Sequence, residues 1–329
     1  MSNSPVTEKR ESVPWKVTRY ALTRYSLIIL WVVMLVVLVI AIPDGVNPLI
    51  ALRAVLGQIS PIIFLGLAVV ITMAVGEFDL SFAAIFGFTA VAIPALNVLY
   101  GWPIWLAILT GFAMALVWGL INGLLIVKVG ISSVVVTLGT ASVAAGIGLL
   151  VSQETTVSGI DPLLGAIANT RFLELPLLFW YGIILVAIVA YIMSATPLGR
   201  SMLFVGSNPA VAKLAGISVT SVRIGAYLAS AALCGFAGVM LSLSLGGFNP
   251  ISAATNLMPT FAAVFLGTVA VIPGRFNPIG MAIAAYFLLT GVFGLQLLGF
   301  TGWVVQVFYG VALVVAVTVS HLLRKRIKT

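Results

Sequence analysis

The sequence predicts an all-α polytopic membrane protein of about ten transmembrane helices, on three observations. Hydrophobic residues make up 62% of the 329 and charged residues only 7%, against about 25% charged in a soluble globular domain, and the mean hydropathy is +1.24. The apolar residues fall into ten runs, most of them close to the roughly 20 residues that a helix needs to cross a bilayer. The basic residues gather at the ends of those runs and divide unevenly between the two sides of the resulting topology.

In chain order the runs are 26–42, 50–75, 82–99, 105–126, 134–152, 177–195, 224–245, 259–273, 278–298 and 303–322. The first follows a polar start and is too long and too poorly flanked for a cleaved signal peptide, so it is read as a retained span. On the fourth, Gly119 and Gly123 form a GxxxG pair, and on the seventh Ala231, Gly235 and Gly238 make a second small-residue surface; such surfaces serve tight packing within a bundle or a dimer seam. Between the sixth and seventh runs lies one long basic interruption, 196–223, which carries Arg200, Lys213 and Arg223 and no acid. Within it Gly206-Ser207-Asn208-Pro209 reads as a turn, Ala210 to Ala215 as a short helix with an apolar face, and Gly216 as its C-cap. The longest loop on the opposite side is 153–176, and only weak echoes of an inverted repeat relate the two halves.

Orientation follows from charge. With the N-terminus inside, one side receives Lys9, Arg10, Lys16, Arg19, Arg24, Lys128, Arg200, Lys213, Arg223, Arg275, Arg324, Lys325, Arg326 and Lys328, and the other only Arg53 and Arg171. The positive-inside rule makes the first side cytoplasmic. Both termini then lie in the cytoplasm, with Asp44, Glu154, Asp161 and Glu174 outside. The chain divides into a cytoplasmic N-terminal segment 1–25, a transmembrane domain 26–322 and a basic cytoplasmic tail 323–329.

Several function classes are excluded by what the chain lacks. None of its six lysines follows a glycine, so there is no G-x-x-x-x-G-K-[ST] phosphate loop for ATP. The net charge of +8 is spread over span ends, which is the membrane pattern and not a nucleic-acid groove. His321 and Cys234 are the only residues of their types; no metal site and no catalytic residue is assigned, His321 is read as a headgroup-level residue and Cys234 as an inert packing residue. Acids are absent from span centres, Glu77 and Asp79 lying at the junction of the second and third runs, which weakens an ion-coupled carrier. Sodium sites built of backbone carbonyls keep that alternative open.

The remaining signal lies in ordered motifs: Gly76-Glu77-Phe78-Asp79-Leu80-Ser81, Val134-Val135-Val136-Thr137-Leu138-Gly139-Thr140, Ala262-Ala263-Val264-Phe265-Leu266-Gly267-Thr268, Pro273-Gly274-Arg275-Phe276-Asn277, and the 196–223 segment with Gly199, Arg200, Gly206, Asn208, Ala210, Gly216 and Ile217. Together they resemble the membrane permease of ribose-type ATP-binding-cassette sugar importers, over residues 50–320. The sequence departs from that family's G-G-I-D-L-S by placing Glu77 at the second Gly and Phe78 at the Ile.

The resemblance implies a type II importer-like permease bundle in the bacterial inner membrane, moving a ribose-like monosaccharide or polyol. It implies a periplasmic or lipid-anchored substrate-binding protein, a separate cassette ATPase that binds the ATP, and a second permease copy, identical or closely similar. The chain itself would bind no cofactor and contact only these partners and lipid. The 196–223 segment would dock on the ATPase through Gly199, Arg200, Gly206, Asn208, Ala210, Lys213, Gly216 and Ile217, the two cations otherwise being ordinary positive-inside charges. Asp79 and Ser81 precede an apolar run, where they suit a helix N-cap or else a gate or partner contact. Asn97, Asn122, Thr137, Thr140, Gln296 and Gln306 are candidates to line a path for a neutral solute, or else to satisfy neighbouring helices. A permease for nucleosides or branched-chain amino acids is the alternative within the same superfamily.

Overall fold

The computed structural model describes residues 13–41, 48–57 and 61–328. Lys9, Arg10 and Asp44 fall outside the described residues, as do the side chains of Lys16, Arg19, Arg24 and the basic residues from Arg324 onward. The helices are α1 (Val13–Ala41), α2 (Pro48–Leu56), α3 (Ile62–Ala74), α4 (Phe82–Pro94), α5 (Ile104–Leu124), α6 (Ser133–Val151), α7 (Pro162–Ala168), α8 (Leu177–Ala195), α9 (Pro197–Ser207), α10 (Pro209–Leu214), α11 (Val219–Leu245), α12 (Leu257–Gly267), α13 (Pro278–Leu297) and α14 (Trp303–Lys328). Single π turns extend α4 to Leu99 and α5 to Val129. Two minimal antiparallel ladders complete the chain: β1 (Val157–Ser158) pairs with β4 (Gly247–Phe248), and β2 (Arg171–Phe172) with β3 (Leu175–Pro176).

Among the described residues seven helices are long and apolar enough to cross a membrane: Phe82–Leu99, Ile104–Val129, Ser133–Val151, Leu177–Ala195, Val219–Leu245, Pro278–Leu297 and Trp303–His321. The protein is therefore an all-α, multi-pass membrane protein. Two of the other three predicted runs, the second and the eighth, fall short for visible reasons. The first run contributes the apolar stretch Tyr25–Ile40 of α1. The second is divided into α2 and α3. The eighth stops at Gly267, whose missing Cβ lets α12 meet the start of α13; a Cβ there would lie 2.5 Å from the Met281 nitrogen.

α3 is the central post. All 13 of its residues are buried, packed by α4, α11, α12 and α13, whereas α6 and α14 are largely open to their surroundings. The small-residue surfaces are consumed within the bundle. A Cβ at Gly119 of α5 would lie 2.5 Å from the Ala231 Cβ of α11, and one at Gly238 of α11 would lie 2.7 Å from the Thr89 Cβ of α4. Helix backbones can approach this closely only where one of the facing residues carries no side chain. Cys234 is buried on the same helix.

The bundle has two unlike ends. One holds the α3–α4 elbow, the α12–α13 elbow and the α9–α10 hairpin. The other holds α7, the β1–β4 ladder and the ion pair of Arg53 with Glu174.

Candidate functional site

The site is built where α3 stops. At about 1.5 Å per residue, its 13 residues reach only some 20 Å, so the chain must turn while still enclosed by other helices. Gly76 makes the turn at φ +82°. Its N–H donates to the Met73 carbonyl at 3.1 Å, and that of Glu77 to the Thr72 carbonyl at 3.0 Å, the Schellman closure that a glycine in the left-handed region permits.

The elbow thereby carries polar residues into the interior, where each must find a partner. Asp79 is 1% exposed. Its Oδ1 accepts from the Ser81 N–H at 2.8 Å and the Ser81 hydroxyl at 2.6 Å, and its Oδ2 from the Ser230 hydroxyl of α11 at 3.1 Å. Ser81 Oγ in turn accepts from Asn122 Nδ2 of α5 at 2.8 Å, while Asn122 Oδ1 accepts from the Thr140 hydroxyl of α6 at 2.7 Å. Alongside, the Leu80 N–H donates to Thr137 Oγ1 at 3.1 Å and the Phe78 N–H to Ser133 Oγ at 3.4 Å. Burial pushes the Asp79 carboxyl, which lies in the connecting segment outside the spans, above the ordinary carboxylate range, against the hydrogen bonds of Ser81 and Ser230.

The junction pair and three of the path candidates, Asn122, Thr137 and Thr140, thus form one network. Asn122 and Thr137 are fully buried and Thr140 is half-buried. Asn97 donates to the Trp102 carbonyl near the opposite end, and Gln296 and Gln306 are exposed there. The cap prediction needs one correction. Ser81 makes no side-chain cap on α4, because its backbone is already helical at φ −86°, ψ −14°, and its hydroxyl donates to Asp79 instead.

Two partners were not foreseen. Ser230 gave no signal among the other small residues of its run. Glu77, 6% exposed, pairs with Arg223 across 3.1 Å, so Arg223 belongs to α11 and faces inward, not to a docking surface. A second elbow repeats the plan: Gly274 takes φ +80°, and Gly274-Arg275-Phe276-Asn277 matches Gly76-Glu77-Phe78-Asp79. Asn277 Oδ1 accepts from the Gly280 N–H at 2.6 Å, and its Nδ2 donates to the carbonyls of Gly267 at 3.1 Å and Ala270 at 3.2 Å. Phe78 and Phe276 pack against Phe261 and Phe265, one turn apart on α12.

The 196–223 segment is ordered as two short helices and the first turn of α11. Thr196 caps α9 by accepting from the Gly199 N–H at 3.2 Å. Asn208 caps α10 by accepting from the Ala210 and Val211 N–H groups at 3.1 and 3.2 Å. Gly216, at φ +79°, closes α10, its N–H bonding to the Lys213 carbonyl and that of Ile217 to the Ala212 carbonyl. Gly199 and Gly206 are contact positions: a Cβ on the first would collide with the Ile192 carbonyl of α8, and on the second with the Ala74 carbonyl at the elbow. Ala210, Arg200 and Lys213 are exposed, and neither cation has an ion-pair partner among the described residues. Val211 and Leu214 present apolar surface outward, at 44% and 88% exposure. No group of three or more His, Cys, Asp or Glu among the described residues is placed to hold a metal ion.

The family profile described as "Branched-chain amino acid transport system / permease component" matches residues 51–317. The chain is 28% identical over 285 residues to the fructose import permease protein FrcC of Rhizobium meliloti, covering 82% of this chain and 78% of the relative. It is 30% identical over 284 residues to the autoinducer 2 import system permease protein LsrD of Salmonella typhi, covering 83% and 85%. With the autoinducer 2 import system permease protein LsrC of Escherichia coli O9:H4 (strain HS) it shares 31% over 235 residues, 69% of this chain and 66% of the relative. No solved structure matches.

Proposed function

The chain belongs to the family of branched-chain amino acid transport system permease components, and from that premise we propose that it is the membrane permease subunit of an ATP-binding-cassette importer for a sugar, a ribose-like monosaccharide or polyol. The similarity to a fructose import permease and to autoinducer 2 import permeases supports the sugar-type branch over nucleosides or amino acids. ATP is bound by a separate ATPase subunit, and the solute is handed over by a substrate-binding protein. The permease works in the inner membrane as a homodimer or beside a close paralogue.

One observation carries the coupling part of this reading. A helical hairpin capped at both ends is seated on the elbow, and it turns Val211 and Leu214 outward. Apolar side chains on an ordered projection suit a groove on a partner that excludes water. In this reading the elbow end is cytoplasmic, both termini lie there, and α1, α2 with α3, and α12 complete about ten spans in a type II arrangement. The segment 1–25 and the tail 323–329 flank the 26–322 domain on that side. Thr140, with Asn97 and Gln296, is kept as a candidate wall of the solute path, while Asn122 and Thr137 brace it.

The test is uptake by the reconstituted importer with residues 210–215 replaced by a Gly-Ser linker. ATP-dependent uptake is expected to disappear while the bundle still folds. Uptake that persists and collapses only with the ion gradient would replace this reading with an ion-coupled carrier.

A further inference from the structure

The α9–α10 hairpin touches the elbow at its bend, and the helix that follows it touches the elbow again. Gly206, near the end of α9, has its Cα 3.4 Å from where a Gly76 Cβ would stand. Arg223, one turn into α11 beyond the hairpin, reaches Glu77, the next residue of the elbow. Along α11, Arg223 and Ser230 are seven residues apart and therefore share a face. That face meets the elbow twice, at Glu77 and at Asp79.

From the elbow hydrogen bonds run on to α6. They pass through Ser81, Asn122 and Thr140 along one line and through the Leu80 N–H and Thr137 along another. α6 is the helix free to respond, since much of its surface, including Val135, Leu138 and Ser142, is exposed.

We propose that Glu77 and Arg223 form a latch that binds the elbow to the foot of α11, so that displacement of the hairpin by the ATPase is delivered through the Asp79 network to α6. The proposal rests on the reading of the hairpin as the ATPase contact. Glu77 and Arg223 are positioning residues: they touch no solute and act by keeping three elements in register. The pair suits this work because Glu77 is almost fully enclosed and Arg223 mostly so. Parting them strands a charge in a poorly solvated place, so the elbow and α11 travel together. With the latch released, the foot of α11 is tied to the elbow only through Ser230 and Asp79, and less of the hairpin's movement reaches α6 per ATP hydrolysed.

The experiment uses the complete importer in proteoliposomes and reads solute transported per ATP hydrolysed. Glu77→Gln and Arg223→Gln are each expected to hydrolyse ATP while lowering that ratio about 5-fold or more, the scale of a modest coupling energy. The exchange E77R/R223E is expected to bring the ratio back to within about 2-fold of the parent, which shows that the two residues act as a pair, while retained hydrolysis in the single variants separates lost coupling from lost folding. Single variants that keep the parent ratio, or an exchange that rescues nothing, overturn the latch. A second measurement leaves the pair intact: in a Cys234→Ala background, Ser142→Cys on α6 is labelled with a maleimide, and the rate is expected to change on adding ATP. An unchanged rate overturns the proposed route to α6. Absence of ATP-driven uptake by the parent importer sinks the underlying reading, and is told apart because it appears before any latch variant is made.

Discussion

Replacing Gly206 by alanine isolates the seating of the hairpin, because the same substitution at Gly225 supplies a matched control. Both are helical glycines, in α9 and α11. Alanine is favoured over glycine in a helix by about 0.5–1 kcal/mol, so Gly225→Ala, where a Cβ meets nothing within 4 Å, should stabilise by that amount. At Gly206 the new Cβ would collide with the Ala74 carbonyl and stand 3.0 Å from its carbon and 3.2 Å from the Gly76 nitrogen. These are backbone atoms of a closed helix terminus and cannot swing aside as a side chain would. α9 must back off the elbow, at an overpacking cost of about 1–3 kcal/mol. The helix gain is common to both variants, so they should differ by the overpacking cost alone, roughly 1–3 kcal/mol. Thermal unfolding of the detergent-solubilised protein should rank them Gly225→Ala above the parent and Gly206→Ala below it, and ATP-driven uptake should fall only in the second. Equal melting temperatures and equal uptake would refute the claim that α9 is seated by backbone contact.

The elbow and the opposite end each carry further expected outcomes. Asp79→Ala strands the Ser81 N–H and the Ser230 hydroxyl and should cost about 1–3 kcal/mol. Asp79→Asn should stay within about 1 kcal/mol, since its amide oxygen can accept both Ser81 bonds while its NH2 donates to the Ser230 hydroxyl oxygen, the acceptor-and-donor use that Asn277 shows at the second elbow. Because burial raises the Asp79 carboxyl, the folded state holds a proton that the unfolded state has released. Parent stability should thus decline as pH rises from the ordinary carboxylate range through the raised value, and Asp79→Asn should remove that decline in a melting series against pH. Glu174→Ala breaks the pair with Arg53, whose side chains are 63% and 40% exposed; the melting temperature should move by the equivalent of less than about 1 kcal/mol.

Legibility followed the range of the interaction. Asn208 and Gly216 were readable as turn and cap because their partners lie within three or four residues, and a cap is decided by local backbone geometry. Asp79 and Ser81 were legible as a motif but not in their bonding, which depends on Ser230, 151 residues from Asp79, and on Asn122, 41 from Ser81. Glu77 looked out of place beside Gly76 until α11 brought Arg223 to it. The small-residue faces of α5 and α11 suited packing within the bundle and left a dimer seam as the alternative until each was found filled by a neighbouring helix.

By itself the amino-acid order determined that this is a multi-pass helical membrane protein, roughly where its apolar helices lie, and which segment projects as a capped hairpin. Of that hairpin the residues foretold the turn at 206–209, the short helix over 210–215 and its Gly216 cap, while α9 emerged from the structure; these outcomes depend on transfer of apolar residues to lipid and on hydrogen bonds within a turn, both written in consecutive residues. Tertiary structure alone decided that α3 is a short enclosed post, that α12 stops where Gly267 meets α13, and which polar residues join into one network. Each of these depends on two distant segments competing for the same buried space, and a polar group's role there is set by the partner that arrives.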